Sequence, residues 1–172
     1  SLWAKLKQFL DYFPPKIDEY IVFLEKNRIW LARTKGVAVV SAEDAVNFGL
    51  SGPTLRGSGV DYDLRKAEPY SAYPKCEFSV PLGKNGDTYD RYWIRVMELY
   101  ESVKIVRQCL EQIQDGPIMA DVPSVTLPPK ERVFTNLESM IQQFKLFSQG
   151  FNAPPGEIYC GTEAHKGELG FY

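Results

Sequence analysis

Between Asp87 and Gly116 an apolar side chain returns every third or fourth residue: Tyr89, Tyr92, Trp93, Val96, Tyr100, Val103, Val106, Leu110 and Ile113. Such a period, sustained without a break, specifies an amphipathic helix about 40 Å long at roughly 1.5 Å per residue. Asp87 is placed to cap its start, Asp90 lies near the positive end of the helix dipole, and Gly116 and Pro117 mark its end. A rod of that length must bury its stripe, so the rest of the 172-residue chain has to fold against it, with enough apolar material (44%) for one sizeable core.

Other helices read less cleanly. Trp3, Leu6, Phe9 and Leu10 repeat at helical spacing until Pro14 and Pro15, where a break is expected; Ile17, Tyr20, Ile21 and Leu24 begin a second helix that fades toward Gly36. VAVV at 37–40 suits a short buried strand or an extended link, and Ser41 with Asp44 forms an N-cap signature for a helix over Ala42–Phe48, closed by Gly49. Phe78 and Val80 alternate with polar neighbours, which Pro81 limits to a short or edge strand. Residues 115–129 are proline-interrupted. A further helix ending at Gly150 has the stripe Leu137, Met140, Ile141, Phe144 and Phe147 as its inner face and Thr135 with Glu138 as a capping box. GEIYCGTEAHKGELGFY reads as a β-hairpin turning at AHKG.

The stretch LSGPTLRGSGVDYDLRKAEPYSAY, Leu50–Tyr73, shows neither a helical nor a strand period. Its glycines and Pro53 permit sharp turns and close backbone approach, and a loop of this length calls for a function. Arg56, Asp61, Asp63, Arg65, Lys66 and Glu68 nearly cancel in charge, while Tyr62, Tyr70 and Tyr73 add amphipathic surface of a kind suited to a protein partner. Planar guanidinium forks favour two-point pairing with carboxylates, which singles out Arg56, Asp63 and Arg65; the competing expectation is that they lock the loop onto its own domain. The expected class is therefore α+β, predominantly helical: antiparallel helices, a long ordered loop and a C-terminal hairpin. Residues 1–172 are expected to form a single unit of a larger domain, in segments 1–36, 37–86, 87–150 and 151–172.

Several chemistries are disfavoured. Lys and Arg total 20 against 22 acidic residues, a formal net charge of −2, so no basic field is available for nucleic acid. No apolar run reaches the roughly 20 residues a spanning helix needs. Cys76, Cys109 and Cys160 are too far apart for a zinc or iron–sulfur ligand set and odd in number, which reads as three structural thiols in a reducing compartment. The sole histidine, His165, reads as part of the hairpin turn and not as a ligand or base, and no metal or catalytic residue is assigned. GSG at 57–59 and GKNG at 83–86 lack both P-loop spacing and the dinucleotide fingerprint, so direct NADH binding is not expected. Arg91 and Arg95 are expected to pair along their helix with Asp87 and Glu98. Glu157, Glu163 and Glu168 are expected to face water.

LSGPTLRGSG followed by DLRKAEPYSAY, then NGDTYDRYWIRVMELYESVKIVRQCLE, then GEIYCGTEAHKGELGFY, resembles the quinone-cavity subunit of respiratory complex I, the D subunit of NADH-quinone oxidoreductase. The resemblance runs collinearly from about Asn27 to the last residue and covers only the middle of that subunit; His165 stands where the family usually has proline. It implies a fold related to the large subunit of nickel–iron hydrogenases. It also implies a scaffolding role beside a quinone cavity, where electrons arrive from an iron–sulfur cluster housed in a neighbouring subunit. The histidine, tyrosine and aspartate that contact the quinone in that family lie upstream of this segment, so no cofactor is expected on this chain and none of its residues is carried over as catalytic. The implied partners are the other complex I subunits, the iron–sulfur subunit above all, and the implied contact residues are Arg56, Asp63, Arg65, Tyr70, Glu163, Lys166 and Glu168. The implied location is peripheral, on the cytoplasmic face of a bacterial inner membrane or the matrix side of a mitochondrial one. A large-subunit segment of a membrane-bound nickel–iron hydrogenase or related complex, or a non-catalytic interaction module, is the alternative. The abrupt helical start and the aromatic final strand read as an excised piece of a longer chain, with Ser1 a cloning remnant, and isolated it is expected to be inactive.

Overall fold

A computed structural model describes residues 2–172; Ser1 lies outside the described residues. Helix α1 (Leu2–Glu25) does not break at the two prolines but carries both in its interior. A proline at position 14 removes the N–H that would bond the Leu10 carbonyl. That carbonyl accepts instead from Arg107 Nη2 at 3.0 Å, and the same nitrogen bonds Asp11 Oδ1 at 2.7 Å. The expected break falls later, where Asn27 caps α2 (Arg28–Thr34) by accepting from the backbone N–H groups of Ile29 and Trp30.

Residues 37–40 form neither a strand nor a fully extended link: the chain bends at Val37–Ala38, with Ala38 at φ +53°, and Val40 N–H donates to the Gly86 carbonyl at 3.0 Å. Ser41 caps α3 (Ala42–Asn47) through the Asp44 N–H, as its sequence signature indicates, and Gly49 follows at φ +64°. Leu50–Tyr73, expected as a long ordered loop without helix, is ordered but partly helical. It contains α4 (Gly52–Gly57) and α5 (Leu64–Ala67), both too short for a hydrophobic period to register, and a single 3₁₀ turn follows at Tyr73–Lys75.

No strand forms at Phe78–Val80. Side chains of the next helix hold this extended backbone in place of a partner strand: Ser79 N–H donates to Glu101 Oε2 at 2.9 Å and Glu77 N–H to Gln108 Oε1 at 2.7 Å. Helix α6 (Thr88–Gln112) is the rod read from the sequence, capped by Asp87, whose Oδ1 accepts from Asp90 N–H and whose Oδ2 accepts from Gly36 N–H at 2.7 Å. Helices α1 and α6 run antiparallel. Leu10 meets Arg107, Asp18 accepts from Tyr100 at 2.5 Å, and Glu25 accepts from Tyr89 at 2.7 Å. Leu10 and Ile17 of α1, Ala45 of α3, Leu55 of α4, Leu64 of α5 and Ile94, Val96 and Val103 of α6 make up the buried apolar core.

The closing hairpin pairs β1 (Cys160–Ala164) with β2 (Gly167–Phe171) from Cys160↔Phe171 to Ala164↔Gly167, leaving His165 and Lys166 as the turn. It belongs to the same compact unit as the chain through Ile113, whereas Gln114–Ile158 form a second unit. That unit holds α7 (Lys130–Thr135) and α8 (Leu137–Ser148). Asn136, not Thr135, caps α8 by accepting from Ser139 N–H; the Thr135 hydroxyl is turned back onto the Glu131 carbonyl. The stripe taken as the inner face of α8 is uncovered, with Phe144 66% and Phe147 82% exposed.

Candidate functional site

The densest chemistry surrounds Arg56, whose side chain is fully buried. Helix α4 can seat it because two glycines admit other backbone at contact distance. A Cβ on Gly57 would lie 2.7 Å from Arg91 Cγ of α6, and Gly52, at φ +61°, abuts the Cα of Gly167 on β2. The helix is thus pinched between α6 and the hairpin, and the guanidinium projects where both supply carboxylates. Arg56 Nη2 donates to Glu98 Oε1 at 2.5 Å and to Glu163 Oε1 at 2.8 Å; Nη1 donates to the Tyr62 carbonyl at 3.1 Å and lies 3.7 Å from Asp63 Oδ2. Its Nε has no partner among the described residues.

Asp63 does two further tasks beside facing Arg56. It caps α5 through the Arg65 N–H at 2.9 Å, and it takes a two-point bond from the Arg65 guanidinium, Nε at 2.9 Å and Nη2 at 2.5 Å. Burial by itself would raise its carboxyl; the Arg65 bonds and charge, with Arg56 beyond, outweigh this and hold it below the usual carboxylate range. Arg65 is correspondingly raised despite its burial, and its guanidinium also stacks 4.8 Å from the Phe78 ring. Tyr70 reaches the same hairpin, its hydroxyl accepting from Glu163 N–H at 3.0 Å.

The forks that the sequence offers to a partner are therefore engaged within the chain, at separations of 42 residues for Arg56–Glu98 and 107 for Arg56–Glu163. Glu163, expected to face water, is a buried member of the cluster with an 8% exposed side chain. Lys166 and Glu168 are exposed on the hairpin, where Glu168 accepts from Tyr159 at 2.5 Å and its N–H donates to Ser51 Oγ. Glu98 was legible only as a helix-surface partner. Its place four residues after the buried Ile94 was the available signal, because a carboxylate on an inward face needs a cation. The expected Arg91–Asp87 and Arg95–Glu98 pairs do not form. Arg91 donates to the carbonyls of Gly86 and Ala38 and to Thr88 Oγ1, and Arg95 to the carbonyl of Arg91.

Beside the cluster lies an open cavity of about 570 Å³, walled by Arg65, Tyr73, Tyr92, Arg95, Glu98 and His165 among others. The Tyr92 hydroxyl is buried there with no partner among the described residues. Among the described residues no group of three His, Cys, Asp or Glu is placed to hold a metal ion; the three carboxylates that meet nearby are turned onto Arg56. In the same wall Arg65 pairs with Asp63, and Arg95 donates to the Arg91 carbonyl.

The family described as respiratory-chain NADH dehydrogenase, 49 Kd subunit, matches residues 1–172. Over 169 residues the chain is 53% identical to the D subunit of NADH-quinone oxidoreductase from Geotalea uraniireducens, covering 98% of this chain and 43% of that protein. The same subunits of Magnetococcus marinus (51%) and Rickettsia bellii (47%) align with all of the chain and with 43% and 44% of their own lengths. The chain thus spans less than half the length of the curated relatives it matches.

Proposed function

Because the chain belongs to the 49 kDa subunit family of the respiratory-chain NADH dehydrogenase, we propose that it scaffolds the quinone-reducing subunit of an NADH-quinone oxidoreductase, shaping one side of the quinone cavity and docking the iron–sulfur subunit. The carrying observation is the match of 98–100% of the chain, at 47–53% identity, to proteins named as the D subunit of NADH-quinone oxidoreductase. The buried Arg56 cluster supports a structural role: one cation gathers carboxylates from α5, α6 and the hairpin and so fixes three elements that sequence separates widely.

On this reading the chain's own residues carry no electron. Their work is to hold shape, and the quinone and the cluster are supplied by the rest of the subunit and its neighbour. The uncovered apolar side chains of α1, Phe9, Tyr20 and Phe23 at 51%, 64% and 73% exposure, fit a polypeptide that other protein surfaces cover. Among the described residues no helix is long and apolar enough to cross a membrane; in this proposal the chain sits peripherally, on the cytoplasmic or matrix side, and reaches the membrane through other subunits. Arg56, Asp63, Arg65, Tyr70 and Glu163 act as positioning residues in this proposal, and the exposed Lys166 and Glu168 present the hairpin to the partner.

A segment exchange tests it. The corresponding stretch of the Geotalea uraniireducens protein is replaced by this chain, and membranes are assayed for assembled complex and NADH-dependent quinone reduction. Retention of both is the expected result; a stable chimeric subunit that assembles but reduces no quinone, or that no longer assembles, overturns the proposal.

A further inference from the structure

Cys76 lies on the extended segment after the 3₁₀ turn and Cys109 on the last turns of α6. Amide side chains of α6 bring them to one place. Gln108 grips Glu77 at both ends of its amide, accepting from its N–H at 2.7 Å and donating to its carbonyl at 2.7 Å. One turn on, Gln112 donates to the Lys75 carbonyl at 3.1 Å. The backbone on each side of Cys76 is therefore clamped to the stretch of helix that carries Cys109. Both thiols line a single cavity of about 300 Å³, together with Tyr70, Tyr73 and Ile105. Cys109 is exposed and Cys76 half-buried. Burial pushes the Cys76 thiol up, and the adjoining Cys109 side chain adds to the effect. The third cysteine, Cys160, stands on the hairpin and is not among the residues lining this cavity.

We propose that Cys76 and Cys109 are a redox-responsive dithiol, which a hydroperoxide closes to a disulfide and a small dithiol reductant reopens. An oxidant arriving from solvent meets Cys109 first. Its sulfur attacks the peroxide, the O–O bond breaks, an alcohol (or water, from hydrogen peroxide) leaves, and Cys109 becomes a sulfenic acid. Cys76 then attacks that sulfur and water leaves. Two thiols have lost two protons and two electrons, the peroxide has taken both, and the disulfide joins residue 76 to residue 109. Cys76 suits the resolving role by its position: half-buried, it is less open to the oxidant than the exposed Cys109, yet it lines the same cavity, and it attacks as the thiolate once its proton has passed to water. Until it is reduced, the closed bond would tie the extended segment to α6 covalently, adding to the hydrogen-bonded clamp.

The full chain is treated with a slight excess of hydrogen peroxide, and free thiols are counted against the three in the sequence. The expected count falls to one, with a peptide map joining the Cys76 and Cys109 peptides at a loss of two hydrogens and with full recovery on dithiothreitol. C160S forms the same bond, its count falling from two to none. C109S and C76S each abolish the bond, and C76S accumulates sulfinic acid at Cys109. Native chain should form the Cys76–Cys109 bond at least tenfold faster than chain in guanidinium. Equal rates in the two conditions, or Cys160 entering disulfides as often as Cys76, overturns the proposal.

Discussion

Removing Arg56 strands Glu98 and Glu163, which its Nη2 brings together from α6 and the hairpin, and leaves Asp63 to Arg65. Breaking a buried pair by deleting one partner typically costs about 3–5 kcal/mol, so Arg56→Met should lower the unfolding free energy by about that much in a urea titration. Arg56→Lys keeps the charge but not the fork, and should fall between the variant and the parent. A Met variant within about 0.5 kcal/mol of the parent would show the cluster to be energetically idle. The carboxylates give the pH dependence. Asp63, Asp90 and Glu101 are all held below their ordinary values despite burial, Asp63 by its arginines, Asp90 by the N–H groups of Asn85 and Lys84, and Glu101 by Lys104 and the Ser79 N–H. Groups with depressed folded-state pKa stabilise fully above the unfolded value, near pH 4, and that contribution is lost as pH falls through the folded value. Urea midpoints should therefore be flat near neutrality and drop below about pH 4, with the drop made shallower by Asp63→Asn. At this scale the sequence showed which residues were charged and stiff in geometry, Arg56, Asp63 and Arg65, but not what they bind. Partners 42 and 107 residues away leave no local pattern to read.

Elements were legible in proportion to their length. The 25-residue α6 announced itself by periodicity and by Asp87, and the hairpin by its turn, whereas α4 and α5, six and four residues long, are stabilised by tertiary contact and could not be told from loop. The prolines of α1 misled for a different reason. Local chemistry dictates a break, but Arg107 satisfies the carbonyl that Pro14 leaves unbonded, and no local signal reports a donor from another helix. Arg107→Ala should consequently cost about 1–3 kcal/mol, the range for stranding a partly buried acceptor. The same substitution made in a Pro14→Ala background should cost measurably less. Equal costs in the two backgrounds would show that the arginine does not compensate the proline. The start of α8 gives a sharper contrast between sequence expectation and structure. Asn136→Ala should lower the helix's stability by about 1 kcal/mol as a lost N-cap, while Thr135→Ala should stay within about 0.5 kcal/mol; helix content followed by circular dichroism through thermal unfolding separates them.

At the scale of the whole molecule, the last residues of the chain complete a core begun by its first hundred. The hairpin closes on α4 through the approach of Gly52 to Gly167, the Ser51–Glu168 bond, the Tyr70–Glu163 bond and the Arg56–Glu163 ion pair. The turn chemistry of the hairpin was readable from the sequence; its seat was not, because a seat is a property of two surfaces and the sequence shows each only singly. If the hairpin is structural closure and not an appendage, Gly52→Ala must disturb it. The new methyl group would meet the Gly167 backbone, and the residue would be held at φ +61°, where a side chain costs of order 1 kcal/mol before any clash. The expected loss is about 2–4 kcal/mol in chemical unfolding, accompanied by faster amide exchange at Thr162–Ala164 and at Arg56–Gly57 together. Lys166→Ala, on the exposed turn of the same hairpin, should change neither. Exchange that quickens in the hairpin while the Arg56–Gly57 amides stay protected would mean that α4 holds without it, and that the charge cluster, not the strand pair, closes this half of the molecule.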